Sequence, residues 1–250
     1  MISNRPTSHA PSDAPAEREA GGAFVSVIIP VLNERESIGL VLRDLPGDIV
    51  EQVIVVDNGS ADDSAVVAER AGARVVRQPR RGYGAACLAG IDALDPRTDV
   101  IVFLDGDYSD FPEELEDLVR PVLQGEADLV IGSRVIKSAS RRALLPQAYW
   151  GNKLATFLIQ IFWKFNYTDL GPFRAIRRSS FDALGMRDAT FGWTVEMQIK
   201  ALRKGLRVKE VPVSYRKRIG QSKISGTVGG SLRAGAKIVM TIFRYGLMAR

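Results

Sequence analysis

Short apolar runs alternate with segments of helical periodicity in the first half of the chain. Each run is rich in β-branched residues and ends in polar residues, which is typical of buried strands. Five strands are predicted, at residues 24–30, 52–56, 73–77, 100–104 and 127–131. Four helices are predicted between and after them, at residues 34–45, 61–71, 84–94 and 112–123. This alternation predicts an α/β fold with a mixed, largely parallel sheet and helices on both faces.

The rhythm changes after residue 134. Residues 138–142 are polar and basic and predict a mobile loop, and residues 150–165 predict a long apolar helix. The further elements are a short strand within 169–176, a helix at 194–204, one or two strands within 206–215, a Gly/Ser/Lys loop at 220–230 and a helix at 231–247. We expect this half to pack on the first half rather than to form a free domain.

Composition narrows the classes of ligand and chemistry. The net charge of +5 favours anionic partners such as nucleotides and phospholipid headgroups. No basic patch with interleaved aromatic residues is present, so we expect no nucleic-acid partner. A single cysteine, Cys87, excludes an intramolecular disulfide and fits a reducing compartment. A single histidine, His9, makes histidine catalysis and a His-rich zinc site untenable.

The sequence contains neither the pattern of a secretory signal nor an apolar run long enough for a membrane span. Residues 1–22 are rich in Pro, Ser and Ala without an apolar core, and predict a disordered arm. The longest apolar stretches, at residues 154–163 and 238–243, are shorter than the roughly 20 residues that cross a bilayer. We therefore expect a cytoplasmic protein.

Polar residues directly follow four of the predicted strands. The segments are Pro30-Val31-Leu32-Asn33-Glu34, Asp57-Asn58-Gly59-Ser60, Asp105-Gly106-Asp107 and Gly132-Ser133-Arg134. In a parallel sheet these ends converge at the edge where open α/β folds bind ligands. Paired carboxylates there suit Mg²⁺ or Mn²⁺, which commonly bridges protein to substrate phosphates. For the triplet at residues 105–107 alone, an acidic turn is the alternative.

Together these segments resemble the family 2 glycosyltransferases of GT-A fold. Similarity to the polyprenyl- (dolichyl-) phosphate hexosyltransferase group rests on Asp169-Leu170-Gly171-Pro172-Phe173-Arg174 and Tyr215-Arg216-Lys217-Arg218-Ile219-Gly220-Gln221-Ser222-Lys223. The resemblance implies a Rossmann-like GT-A domain over residues 23–226. It would follow the arm at residues 1–22 and precede a C-terminal amphipathic helix at residues 227–250.

The resemblance implies roles on the donor side. Pro30, Asn33 and Glu34 would border the base and ribose of a UDP- or GDP-sugar. Asp57 would accept a hydrogen bond from the base, with a helix-capping Asx turn as the alternative. Asp105 would lie against the ribose and the metal. Asp107 would hold Mg²⁺ or Mn²⁺ on the diphosphate.

Gly84 and a basic set complete the implied donor site. Gly84 precedes a helix and would let the backbone approach the donor, where a helix N-terminus favours anions; a plain loop is the alternative. Related enzymes often carry Asn where this chain has Arg80 or Arg81, which is a departure from the pattern. Phosphate contacts are implied for Arg134, Arg216, Arg218 and Lys223. For Arg216 and Arg218 a solvated face is the alternative, although we expect at least one to point inward. Lys223 would lie on a loop that closes over the donor.

Two carboxylates compete for the acceptor side. Glu196 or Asp169 would deprotonate a hydroxyl acceptor, whereas a phosphate acceptor is already ionised and would need them only for positioning. A helix-surface residue and a turn residue are the respective alternatives. The helices at residues 150–165 and 231–247 suit a membrane interface, or else a core or homodimer contact.

We therefore expect an inverting, metal-dependent hexosyltransferase that uses a polyprenyl phosphate acceptor and lies peripherally on the cytosolic face of a membrane. Transfer to a soluble or cell-envelope hydroxyl is the first alternative. A nucleotidyltransferase is disfavoured, because the first strand lacks a following Gly-rich basic loop. A non-catalytic nucleotide-binding protein is disfavoured by Asp105, Asp107 and Arg134.

Overall fold

Seven strands form one sheet at the centre of the protein. The computed structural model describes residues 22–220 and 228–247 of the 250-residue chain, so Lys223 lies outside the described residues. The strands are β1 (Val25–Val31), β2 (Gln52–Asp57), β3 (Arg74–Arg77), β4 (Val100–Phe103), β5 (Leu129–Ser133), β6 (Arg174–Arg177) and β7 (Val208–Pro212).

The sheet is mostly parallel, as the sequence predicts. Its order is β3-β2-β1-β4-β6-β5-β7, and only β6 runs antiparallel to its neighbours, β4 and β5. Because β6 reverses direction between them, β4 and β5 still point the same way. The carboxyl ends of β1, β2, β4 and β5 therefore lie along one edge of the sheet.

Helices cover both faces of this sheet. They are α1 (Ile38–Arg43), α2 (Ser64–Arg70), α3 (Tyr83–Asp92), α4 (Leu115–Leu123, after a 3₁₀ turn at Pro112–Glu114), α5 (Ser138–Ala143), α6 (Pro146–Trp163), α7 (Arg178–Leu184), α8 (Trp193–Arg203) and α9 (Val228–Leu247). In the described part of the chain, no helix combines the length and the apolar character needed to cross a membrane.

The strands alternate their side chains between two cores. On β1, Ile28 faces a core shared with α3, α6, α7, α8 and α9, whereas Ile29 faces a core shared with α1, α2 and α4. Both Ile28 and Ile29 are fully buried. This two-sided burial explains why the central strands read as continuous apolar runs.

Two elements differ from the sequence prediction. The segment predicted as a mobile loop at residues 138–142 is helix α5, whose Ser140 Oγ donates to the Val213 carbonyl (3.1 Å) and accepts from the Tyr215 amide (3.1 Å). Helix α7 was not predicted, because it follows β6 directly without a turn signal. Long-range contacts thus order a segment whose own composition is polar.

Candidate functional site

A cavity of about 340 Å³ opens at the carboxyl edge of the sheet. It lies at the ends of β1, β2 and β4, beneath the segment that follows β7. Its lining residues are Pro30, Val31, Leu32, Glu34, Asn58, Arg81, Gly82, Tyr83, Ala86, Asp105, Gly106, Asp107, Thr190, Phe191 and Arg218. The structure therefore brings three of the four predicted strand-end segments together around one space.

Asn58 shapes one wall of this cavity. Its Nδ2 donates to the carbonyls of Gln78 (2.9 Å) and Arg80 (2.8 Å), and its Oδ1 accepts from the Gly82 amide (2.8 Å). These three bonds fold the loop before α3 against the end of β2. Arg81, Gly82 and Tyr83 consequently face the cavity.

Gly82 and Gly84 make room for a neighbouring loop at the start of α3. A Cβ on Gly84 would strike the Asp188 carbonyl oxygen, and one on Gly82, whose φ is +141°, would strike the Ala189 carbonyl oxygen. The two glycines therefore let the loop at residues 187–191 lie against the start of α3. Gly84 itself does not line the cavity, whereas Gly82 does.

That loop contributes Thr190 and Phe191, two cavity residues that the sequence analysis missed. No motif marks them in the sequence. The only local hint is their position just before the N-terminus of α8, which begins at Trp193.

Two carboxylates share the cavity floor. Burial, followed by the nearby Asp107 carboxylate, raises the pKa of Asp105 to about 7, although the neighbouring Tyr83 hydroxyl opposes the rise. Asp107 Oδ1 accepts from the Ser109 amide (2.9 Å) and hydroxyl (2.5 Å). A bound cation would relieve the repulsion between these two carboxylates.

The carboxylates of Asp105 and Asp107, here called the acid pair, are of a type that binds divalent cations. Carboxylate oxygens are hard ligands, and Mg²⁺ or Mn²⁺ is commonly bound by one or two carboxylates together with waters and substrate phosphates. Among the residues that the structure describes, no group of three or more His, Cys, Asp or Glu side chains is arranged for a metal ion. Asp105 and Asp107 would therefore supply only part of the coordination.

Arg218 closes over the acid pair. Its Nη2 lies 2.6 Å from Glu34 Oε1, and its Nη1 lies 3.0 Å from Asp107 Oδ2. The next amide, of Ile219, donates to the Asp107 carbonyl (3.0 Å). Of the two arginines considered, Arg218 is thus the one that points into the cavity.

Arg216 does not line the cavity, contrary to the phosphate contact expected for it. Its guanidinium stacks on the rings of Tyr108 (3.5 Å) and Phe111 (4.1 Å), and it donates to the carbonyls of Tyr108 and Asp110 (2.8 and 3.2 Å). The side chain fastens the segment after β7 to the loop after Asp107. Aromatic stacking decided its direction, and the sequence gives no sign of that.

Arg134 and Asp169 form a buried ion pair beside the cavity. The Nε–Oδ2 and Nη2–Oδ1 distances are both 2.8 Å, and the Arg134 amide also donates to Oδ2 (2.9 Å). Burial alone would lower the pKa of Arg134, but the Asp169 carboxylate outweighs it and raises that pKa. Because both of its oxygens are engaged, Asp169 is not placed as an available base.

The remaining donor-side residues divide into two groups. Pro30 and Glu34 line the cavity. Asn33 lies with Glu34 in an adjoining cavity of about 240 Å³, where Asn33 Oδ1 accepts from the Ala61 amide (2.7 Å). Asp57 is buried at the end of β2, and its Oδ1 accepts from the Ser60 amide (2.8 Å). That bond spans three residues and lies before α2, which begins at Ser64, so it is a local turn contact and not a helix cap.

Glu196, predicted on the acceptor side, does not line the cavity. Only 2% exposed, it accepts at Oε2 from the Arg187 and Asp188 amides (3.1 and 2.7 Å). Its Oε1 lies 2.8 Å from both Lys200 Nζ and Tyr245 Oη. Burial would raise the pKa of Glu196, but these hydrogen bonds outweigh it and lower that pKa. Glu196 therefore holds the loop at residues 187–191 in place.

The sequence matches a known protein family. The sequence model of glycosyl transferase family 2 matches residues 26–185 of this chain. An uncharacterized glycosyltransferase of Mycobacterium tuberculosis is 36% identical over 220 residues, covering 85% of this chain and 95% of that protein. The undecaprenyl-phosphate mannosyltransferase of Micrococcus luteus is 33% identical over 242 residues, covering 90% of this chain and 95% of that protein.

Solved structures share the fold. Glucosyl-3-phosphoglycerate synthase from Mycobacterium tuberculosis, in complex with Mn²⁺, UDP-glucose and phosphoglyceric acid, superposes with a TM-score of 0.73. The match covers 90% of this chain and 80% of that one at 23% identity. The seven-stranded mixed sheet is thus a GT-A-like fold.

The position of Glu196 predicts the effect of removing its charge. Replacing Glu196→Gln should lower the free energy of unfolding at pH 7 by about 1–3 kcal/mol, because buried donors lose a charged acceptor. Since the pKa of Glu196 in the folded protein lies below its ordinary value of about 4.5, this contribution is fully present above that pH and is lost as the pH falls through the folded pKa. Urea unfolding of both proteins between pH 7 and pH 3 measures the difference.

The matched control is Glu116→Gln on α4, whose exposed carboxylate lies 3.7 Å from Arg120. We expect it to change stability by less than about 0.5 kcal/mol. A Glu196→Gln protein that is as stable as the wild type but inactive in transfer would contradict the positioning role and return Glu196 to consideration as a base.

Proposed function

The chain belongs to glycosyl transferase family 2 and is a glycosyltransferase, and we propose that it moves a hexose from a UDP- or GDP-sugar to a polyprenyl phosphate, with inversion and with the help of a divalent cation. One observation carries the proposal. Asp105, Asp107 and Arg218 converge on a single cavity at the carboxyl edge of the sheet, next to Pro30 and Glu34.

Charge explains why these residues suit a nucleotide-sugar. The leaving group is a nucleoside diphosphate, which gains negative charge as the glycosidic bond breaks. When bound by Asp105 and Asp107, Mg²⁺ or Mn²⁺ would offset that charge. Arg218 lies between two carboxylates of the same cavity, where its guanidinium can turn to a phosphate and hold it with two parallel hydrogen bonds. Lys223, outside the described residues, is proposed as a further phosphate contact.

The base and ribose are proposed to lie along the ends of β1 and β2. Pro30 and Glu34 line the main cavity, and Asn33 and Glu34 line the adjoining one. Asp57 Oδ1 is occupied by the Ser60 amide, so a bond to the base would fall to its other oxygen. Gly84 would act indirectly, by letting the loop with Thr190 and Phe191 approach.

The state of the two candidate bases favours a phosphate acceptor. Glu196 and Asp169 are each engaged at both oxygens in ion pairs and hydrogen bonds. An ionised phosphate oxygen needs no base to attack the anomeric carbon. It would form the new C–O bond on the face opposite the diphosphate while the bond to the diphosphate oxygen breaks, so an α-linked donor gives a β-linked product. Arg134, paired with Asp169, is proposed to shape the acceptor side.

Named relatives agree with that acceptor class. Besides the Micrococcus luteus mannosyltransferase, the polyprenol monophosphomannose synthase of Mycolicibacterium smegmatis is 30% identical over 243 residues, covering 85% of this chain. A lipid acceptor would place the protein peripherally on the cytosolic face of a membrane. The homodimer considered from the sequence stays a prediction.

Loss of one carboxylate should abolish the reaction. We expect Asp107→Ala to lower turnover by roughly 10³-fold or more, because stabilisation of the leaving diphosphate contributes several kcal/mol. Transfer of radiolabelled hexose measures this effect. Asp117→Ala on α4, whose exposed carboxylate pairs with Arg120, is the matched control and should stay fully active. Undiminished turnover by Asp107→Ala would refute the metal assignment.

The acceptor proposal predicts a choice between two lipids. Offered a polyprenyl phosphate or the corresponding polyprenol, the enzyme should glycosylate only the phosphate, because the two candidate bases, Glu196 and Asp169, are both engaged in ion pairs and hydrogen bonds. The labelled product should partition into organic solvent. Transfer to the polyprenol, or to a water-soluble hydroxyl compound in preference to the phosphate, would favour the hydroxyl acceptor instead.

A further inference from the structure

Helix α6 presents an apolar ridge to solvent. The exposed fractions are 70% for Trp150, 52% for Leu154, 57% for Phe157 and 51% for Ile161. At about 100° per residue these four side chains fall within about 60° of arc. The opposite side of the helix is also apolar, since Ala155 and Ile159 are buried in the core. A surface helix ordinarily turns polar residues outward, so packing among the residues that the structure describes does not account for the ridge.

Helix α9 continues this surface. Met240, Phe243 and Leu247 are 61%, 42% and 67% exposed and share one side of the helix. The two helices touch through Phe162 and Phe243, whose ring centroids are 5.6 Å apart. Gly246 allows the contact, because a Cβ there would lie 2.6 Å from the Phe162 ring. We call the seven exposed side chains of α6 and α9 the docking face: Trp150, Leu154, Phe157, Ile161, Met240, Phe243 and Leu247.

Basic residues accompany the docking face. Every charged residue of α5, α6 and α9 is basic, and these helices contain no Asp or Glu. The residues are Arg141, Arg142, Lys153, Arg233, Lys237 and Arg244. On α9, the exposed Arg233 and Arg244 project within about 60° of Met240 around the helix.

We propose that the docking face binds the surface of a bilayer that contains anionic phospholipid. An apolar, aromatic ridge flanked by cations is typical of helices that lie in a membrane interface. Tryptophan is enriched at that interface, where the apolar and the aqueous regions meet. A second copy of this chain fits less well, because pairing two docking faces would bring their basic residues together. The inference deepens the proposed function and rests on it only for the identity of the lipid acceptor.

The docking helices are joined directly to the walls of the site. On α6, Asn152 donates to the Thr168 carbonyl (3.0 Å) and accepts from the Leu170 amide (2.9 Å), on either side of Asp169. On α9, Lys237 pairs with Asp188 (2.9 Å) and Tyr245 donates to Glu196 (2.8 Å). Binding of both helices to a bilayer would therefore hold the segment around Asp169 and the loop at residues 187–191 close to the lipid surface.

Vesicles that lack polyprenyl phosphate test the docking face without any catalysis. The full chain should co-sediment with phosphatidylcholine/phosphatidylglycerol vesicles and much less with pure phosphatidylcholine vesicles. Raising NaCl from about 0.1 M to about 1 M shortens the Debye length from about 10 Å to about 3 Å and should weaken the binding. Equal recovery with and without vesicles would overturn the proposal.

Paired substitutions locate the binding surface. Trp150→Ala combined with Phe157→Ala should lower the vesicle partition coefficient roughly tenfold or more, because two large apolar side chains no longer leave water. Leu123→Ala is the matched control: Leu123 is 46% exposed but lies on α4, over the opposite face of the sheet. It should leave the partition unchanged. Equal binding by the double variant and the wild type would contradict the assignment.

Two further measurements separate the explanations. Transfer to a water-soluble, short-chain acceptor phosphate should be the same for the double variant and the wild type, since neither residue lines the cavity. Vesicle binding without any such transfer would contradict the proposed function and leave the docking face standing. Light scattering that shows a dimer in wild type and a monomer in the double variant would assign the face to a second copy and overturn the membrane proposal.

Discussion

The site depends on the mutual repulsion of two carboxylates at the end of a buried strand. Asp105 and Asp107 lie in the turn after β4, a strand that is wholly buried between two cores, and Asp107 is held there by Ser109 and Arg218. Burial and the neighbouring charge together keep the pKa of Asp105 near 7. Positive charge lowers the repulsion between the two carboxylates. Arg218, in the segment that follows β7, supplies part of that charge. The proposed cation and diphosphate would complete that balance of charge in the same cavity.

Buried ion pairs and hydrogen bonds that lie outside the cavity hold its walls in place. The Arg134–Asp169 pair fixes the end of β5 against the segment before β6, and Glu196 fixes the loop that carries Thr190 and Phe191. A carboxylate so engaged orients its neighbours well and removes protons poorly. The same contacts of Asp169 and Glu196 therefore favour an acceptor that arrives already ionised. Through Tyr245 and Lys237 this framework also extends to α9, at the surface of the protein.

Much of the fold and part of the site could be predicted from the sequence, for a definite reason. Buried parallel strands read as apolar runs, and their polar ends must meet at one edge, so the convergence of Pro30, Glu34, Asp105 and Asp107 follows from pattern alone. Directions of side chains set by distant partners could not be predicted. Arg216 and Arg218 differ only in what surrounds them: two aromatic rings hold the first, and two carboxylates attract the second. Glu196 meets a tyrosine 49 residues away, which no local pattern reveals.

The central claim is that the acid pair binds a nucleotide-sugar together with a divalent cation. Thermal unfolding of the full chain with UDP- and GDP-sugars, in the presence of Mn²⁺ and again with EDTA, tests it most directly. At 100 times its dissociation constant the true donor should stabilise the protein by about 2.7 kcal/mol, and EDTA should remove most of that effect. No stabilisation by any donor, or an equal stabilisation with and without the cation, would contradict the account.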